Sequence, residues 1–158
     1  MKKFEFTGET KTISLFFRTA TLHRIRAVAE FGLVKIGDLG GWIEKEENLS
    51  HEGKAWVCGD AKVWGNAKVC GDAEVFSASH VLVIGAIGSR DDFTTFFRDK
   101  DNEITVKCGC FLGKIDKFLE KVTQTHGDSK YALVYRAAVE VARLQIDLSG
   151  EAPKDADE

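Results

Sequence analysis

The residues of this chain best suited to hold a ligand fall in one stretch. Gly85-Ala-Ile-Gly-Ser-Arg90 is followed closely by Thr94, Thr95 and Arg98. Glycines leave backbone N–H groups open, and Ser89, Thr94 and Thr95 add hydroxyls. Arg90 and Arg98 can each grip a phosphate through two hydrogen bonds. Phe93, Phe96 or Phe97 would supply a ring to stack on a base. Together these groups suit recognition of a small, nucleotide-like anion. The stretch is not a P-loop, because the Gly-Lys-Ser/Thr ending is absent. The same residues also fit a tight turn whose arginines pair with Asp91, Asp92 or Asp99.

Other groups offer less. Cys108-Gly-Cys110 is half a metal or redox site at most, since a structural zinc takes four ligands. On one strand, positions two apart share a face, which reads as two packed thiols. His23-Arg24-Ile-Arg26 is a small basic group and Trp42 a stacking surface, both equally at home in a structural role. The Phe-Phe pairs at 16–17 and 96–97 read as core. No catalytic constellation, metal site or cofactor is assigned.

The elements that must carry these residues are set by a repeat. Four six-residue units run from Ala55 to Ala78, three of the form Ala-x-Val-x-Gly-Asp/Asn. A period of six predicts a short left-handed parallel β-helix, with about eighteen residues to a coil. Val suits the strand interior, and the Gly-Asp or Gly-Asn pair suits the corner. The small inward position falls on Ala55, Ala61, Ala67, Ala73 and Ser79, and backwards on Leu49 and Ile43. The second falls on Val57, Val63, Val69, Val75 and Val81, and backwards on His51, Lys45 and Leu39. Lys45 and His51 break the pattern. Cys58, Trp64, Cys70 and Phe76 should point outward, where exposed Trp64 and Phe76 would call for an oligomer or partner surface. Cys58 and Cys70 lie two units apart, on different faces of such a coil. Glu44-Lys-Glu-Glu47 reads as a solvated edge or a cover for the open end of the coil.

Around the array, Lys3–Thr7 and Lys11–Phe17 read as a hairpin turning at Gly8-Glu9. Thr19–Phe31 reads as a strand and a short helical turn. Phe93–Arg98 and Glu103–Cys110 read as a second hairpin, and Gly113–Thr125 and the segment from Asp128 or Ser129 to Ile146 as helices. The expected fold is mainly β: an N-terminal β-rich segment (1–36), a short left-handed β-helix (37–85), a ββαα module (86–148) and a disordered acidic tail (149–158).

Composition narrows the partners. The 158 residues carry a formal charge of −3, all of it accounted for by residues 150–158, so the body is neutral. A neutral body argues against a general nucleic-acid coat. No apolar run approaches a membrane span and no signal peptide opens the chain, so a cytoplasmic location with four reduced cysteines is expected. About two and a half coils bury too little to stand alone, which predicts a homo-oligomer, a trimer of parallel prisms first.

Gly37-Asp-Leu-Gly-Gly-Trp-Ile-Glu-Lys-Glu-Glu-Asn-Leu-Ser50, the hexad array, Ile87-Gly-Ser-Arg90, Thr94-Thr-Phe-Phe-Arg98 and Cys108-Gly-Cys110-Phe, in this order, resemble a family of phage and prophage hexapeptide-repeat, polymer-forming-like proteins. The likeness runs from Phe4 to Ile146. It implies a β-helix and a viral setting in the cytoplasm of an infected bacterium. The expected function is therefore a non-enzymatic phage accessory protein that binds a small nucleotide-like ligand. It would sequester a host immune signal, with Ser89, Arg90, Thr94, Thr95 and Arg98 as the site. Two alternatives stand beside it: a protein-interaction or scaffold oligomer using Trp64 and Phe76, and a hexapeptide-type acyltransferase with His80 or His51 as base.

Overall fold

Alternation of apolar and polar residues from Phe4 onward builds one long strand rather than a short hairpin. In the computed structural model, which describes residues 2–149, β1 (Phe4–Ser14) pairs antiparallel with β2 (Thr19–Ala27). The turn comes at residues 15–18. Gly8, at φ +94°, is instead a bulge where the register slips between Phe6 and Thr10. After β2 the chain makes turns without a helix. β3 (Leu39–Ile43) then lies antiparallel to β2.

The hexads furnish three two-residue strands, β4 (Trp56–Val57), β5 (Lys62–Val63) and β6 (Glu74–Val75). β5 runs parallel to β3, β6 runs parallel to β4, and a single parallel bridge joins Leu49 to Val69. A regular left-handed parallel β-helix, the fold expected from the repeat, is thus corrected. The chain forms several small sheets, antiparallel and mixed, followed by two helices. The physical reason lies at the ends of the array, where antiparallel partners take over: β2 pairs with β3, and Asp99 bridges Ala73. Gly59, Gly65 and Gly71 still turn the chain at positive φ every six residues, as the repeat predicts.

The inward positions are nonetheless buried. Ile43, Leu49, Ala55, Val57, Ala61, Val63, Ala67, Val69, Ala73 and Val75 form one core with Phe4, Ile25 and Phe97. Each fully buried Val contributes roughly 1.5–3 kcal/mol. Leu39 and Lys45, also assigned to inward positions, are exposed, and His51, Ser79 and Val81 are only half-buried. Asn48, fully buried, donates its amide to Gly65 and Ala67 carbonyls and so ties the entry segment to the array.

The second sheet has the order β10-β9-β8-β7, from β7 (Val81–Ile87), β8 (Asp92–Arg98), β9 (Ile104–Cys108) and β10 (Phe111–Lys114). β7 crosses residues 85 and 86, where the array was expected to hand over to the helix-bearing module. Its far face is covered by α1 (Ile115–His126) and α2 (Lys130–Gln145). α1 ends at Gly127, whose φ of +58° lets its N–H reach the Thr123 carbonyl. Neighbouring residues of β8 serve opposite cores. Phe97 packs into the hexad core and Phe96 into the helical one. The sheet is therefore a wall shared by two cores. From Gly150 on, the tail expected to be disordered lies outside the described residues.

Candidate interaction face

The structure separates the residues expected to hold an anion. Ser89 and Arg90 are exposed on the turn between β7 and β8. Gly88 backs that turn onto Tyr135 so closely that a Cβ would stand 1.9 Å from the hydroxyl. Thr94 and Thr95 are both buried and face opposite sides of β8. The Thr94 hydroxyl donates to Cys108 Sγ at 3.4 Å, while Thr95 Oγ1 accepts the Lys68 N–H at 3.1 Å. Arg98 is buried at the far end of the strand, its guanidinium over the Phe76 ring and its Nη1 3.4 Å from His80 Nε2. Asp92 and Arg98 are some 20 Å apart along the strand, at about 3.3 Å per residue. Arg90 and Arg98 do not converge. Phe96 and Phe97 are core, which leaves only Phe93 partly open to a ring partner.

The other candidate groups are also tied up. Cys108 and Cys110 do not share a strand face, because Gly109 and Cys110 form the two-residue turn between β9 and β10. Cys108 lies 3.9 Å from the Tyr135 hydroxyl, and burial with this neighbour pushes Tyr135 up to about 12. Cys58 is half-buried rather than outward, and burial pushes its thiol up to about 12. His51 accepts the Lys3 N–H through Nδ1 and stacks on Phe4 at 4.1 Å. His80 accepts the Phe76 N–H through Nδ1 and turns Nε2 toward Arg98. Burial lowers both histidines, and the Arg98 charge lowers His80 further. Neither presents a free nitrogen as a general base. Lys11 and Arg24 both lie over the ring of Trp42, which is buried, so it is not an open stacking platform. Among the described residues no cluster of His, Cys, Asp or Glu could hold a metal. No described helix is long and apolar enough to cross a membrane.

What the structure does present is an exposed end face at the β1–β2 tip. Phe16 and Phe17 sit at the β1–β2 tip, 93% and 91% exposed, edge to face at 4.7 Å. Behind them Arg18 grips Glu44 with two hydrogen bonds of 2.6 and 3.0 Å. Glu44 Oε1 also accepts the Gly65 N–H at 2.8 Å. Arg18 above all, then the Gly65 N–H, holds the Glu44 carboxyl down to about 2. This clasp ties Arg18, the residue after the aromatic pair, to the array. Next to Gly65, Trp64 borders a cleft of about 230 Å³ lined by Lys62, Val63, Ala67, Val81 and Val83. Phe76, the other residue expected on a partner surface, lies apart and is half-covered by Arg98 and His80.

Sequence reasoning assigned Phe16-Phe17 to the core and Glu44 to a solvated edge. The available signal was the alternation on both sides of Gly8, which continues as one strand if Gly8 is a bulge and so throws the turn onto the Phe pair. No protein-family model and no curated protein sequence matches the chain.

Proposed function

We propose that this chain is a non-catalytic interaction protein that docks an apolar pocket of a protein partner onto its end face, centred on Phe16 and Phe17. The observation that carries the reading is the aromatic pair itself. Two phenylalanines more than nine-tenths exposed contribute nothing to this fold's core, and the next residue, Arg18, is tied to Glu44. Aromatic anchors of this kind dominate binding energy where they enter a pocket. A membrane surface is the less suitable occupant, because Arg18, the cation nearest the tip, is already neutralised by Glu44. Small-ligand recognition is less favoured because Arg90 and Arg98 stand at opposite ends of β8. We place the protein in a reducing cytoplasm, in keeping with four free cysteines.

The test is affinity capture from host cells with the wild type beside a Phe16→Ser/Phe17→Ser double variant. One partner should be retained by the wild type and lost by the variant, with Tm unchanged. Equal capture by both proteins would remove the reading. Flotation with anionic vesicles would replace it with a membrane role. A small molecule retained in native mass spectrometry and lost on Arg90→Ala would restore the ligand role.

A further inference from the structure

We infer that the outer face of the sheet β1-β2-β3-β5 holds a phosphate-binding site, built from Lys11, Arg24 and Lys62 around the indole N–H of Trp42. The inference goes beyond the docking of a foreign partner and stands independently of it. Its residues are also distinct from the dispersed group of Arg90 and Arg98.

Strand register brings the site together. Arg24, Trp42 and Lys62 stand directly opposite one another across β2, β3 and β5, so they share one sheet face. Lys11 on β1 joins that face opposite Leu22, two residues from Arg24. Leu22 and Trp42 are 0% and 3% exposed, yet belong to neither core. Cations lie over the indole instead. Lys11 Nζ is 4.3 Å and Arg24 Cζ 5.4 Å from the ring centroid.

Two observations point to an anion. The first is Trp42 Nε1, a buried donor with no hydrogen-bond partner, where buried donors are ordinarily satisfied. The groups around it are donors too. Arg24 spends Nε on the Gly40 carbonyl at 3.2 Å, and Lys62 Nζ reaches the Asp60 carbonyl only at 3.5 Å. The second observation is charge. Along the same strands Arg26 pairs with Glu5 and Arg18 with Glu44. Among the described residues no carboxylate pairs with Lys11, Arg24 or Lys62, and Glu9, two residues before Lys11, makes no ion pair. Lys11 and Arg24 nonetheless stand over one ring, within roughly 10 Å of each other, about a Debye length at 0.1 M salt. One cation is favoured at an indole face. A second repels the first unless an anion joins them.

The donor set selects the occupant. Guanidinium, ammonium and indole N–H groups donate only, so the site excludes a cation and suits an ion rich in acceptors. Three positive charges favour a doubly charged ion over a single carboxylate. Arginine presents a planar fork to two phosphate oxygens. Inorganic phosphate or a phosphate monoester meets both demands. Glu5 and Glu44 do not compete for these cations, because Arg26 and Arg18 already hold them.

The experiment is a titration of the full chain with inorganic phosphate, read on the indole N–H signals by NMR against chloride at matched ionic strength. The Trp42 signal should shift and saturate while those of Trp56 and Trp64 stay in place. Lys11→Gln and Arg24→Gln should each weaken binding roughly tenfold or more. Lys121→Gln, on an exposed position of α1, should leave it unchanged. A Trp42 signal that moves no further with phosphate than with chloride overturns the inference, as does a shift that both site variants leave intact. Acetate that saturates at the same concentration overturns the choice of a doubly charged ion. Should a variant unfold, the wild-type Tm gives a second reading. It should climb with phosphate beyond its rise in chloride, and no such climb overturns the site. Flotation with phosphatidic acid vesicles, lost on Arg24→Gln but kept by Phe16→Ser/Phe17→Ser, would place the phosphate on a lipid; phosphate binding without flotation places it on a soluble ester. A partner lost on Phe16→Ser/Phe17→Ser beside a silent Trp42 overturns this inference alone. Phosphate binding by a chain that captures nothing overturns the docking reading alone.

Discussion

Lys3 is the residue whose environment departs furthest from its type. It is 2% exposed, its Nζ donates to the Ala55 carbonyl at 2.7 Å, and it lies over the Phe31 ring. Burial pushes it down to about 8 from an ordinary 10.5. Between those values the unfolded chain binds more protons than the folded one, so this group's contribution to stability rises with pH. The thiol of Cys58, pushed up to about 12, acts with the opposite sign above about pH 9, and Cys70 follows it. The wild-type curve mixes the two signs, but the difference between wild type and Lys3→Met reports the lysine together with its coupling to Cys70. That difference in urea-unfolding free energy should move in favour of the wild type by about 2–3 kcal/mol from pH 7.5 to pH 10.5, at about 1.4 kcal/mol per unit. A flat difference would mean that Lys3 holds an ordinary pKa. Nothing in the sequence pointed to this, because a lysine at the third position reads as solvent-facing. Its burial depends on β1 laying the N-terminus across the array some fifty residues away.

At the scale of elements, the Gly37-Asp-Leu-Gly-Gly-Trp42 motif is explained by close approach. A Cβ on Gly40 would come within 2.7 Å of Ile25, Trp56 and the Val57 carbonyl; one on Gly41 would meet the Ala61 carbonyl at 2.6 Å. β3 therefore has glycines where it must slide between β2 and the hexads. The corner glycine Gly59 is constrained differently, by a φ of +58° with open space around it. Gly59→Ala should cost about 1 kcal/mol from backbone strain alone. Gly40→Ala should cost more than about 3 kcal/mol, because backbone must move. Thermal unfolding of the pair checks both, and equal losses would refute the distinction. The same contrast marks what was legible. Period six gave the buried Ala and Val positions and the glycine corners, since those follow from local pattern. It misjudged the architecture, because whether a short array propagates depends on which strands occupy its ends. Antiparallel β2 and Asp99 occupy them here, at separations no local pattern encodes. The anion site failed for a related reason. Spacing placed Arg90, Thr94, Thr95 and Arg98 close in sequence, but a strand spreads such residues over two faces and its whole length.

At the scale of the whole molecule, two histidines act as joints. His51 receives the Lys3 N–H and stacks on Phe4, which fastens the first strand to the array. His80 receives the Phe76 N–H at the point where the array gives way to the second sheet. Each must be unprotonated at Nδ1 to accept, and burial holds each below the ordinary value of 6.5. The charges around them are mixed. Glu46 opposes the shift at His51 while Lys2 and Lys3 add to it, and Asp147 opposes Arg98 at His80. In the unfolded chain both take a proton near pH 6.5, so below that the unfolded state binds more protons. Their contribution is full above pH 6.5 and is lost as pH falls through the folded values. Most carboxylates titrate lower, and Glu44 only near 2, so pH 5 to 6.5 reports mainly on histidine. Urea midpoints should fall across that window with a slope of up to roughly two protons. His51→Gln and His80→Gln should each flatten the slope, and the double variant should flatten it most. If the slope survives in the double variant, acid sensitivity lies elsewhere and the joints are not what couples the two cores. If only His51→Gln flattens it, the first strand releases alone while the shared sheet holds. That outcome would leave the Phe16–Phe17 tip sensitive to mild acid and the second sheet indifferent to it.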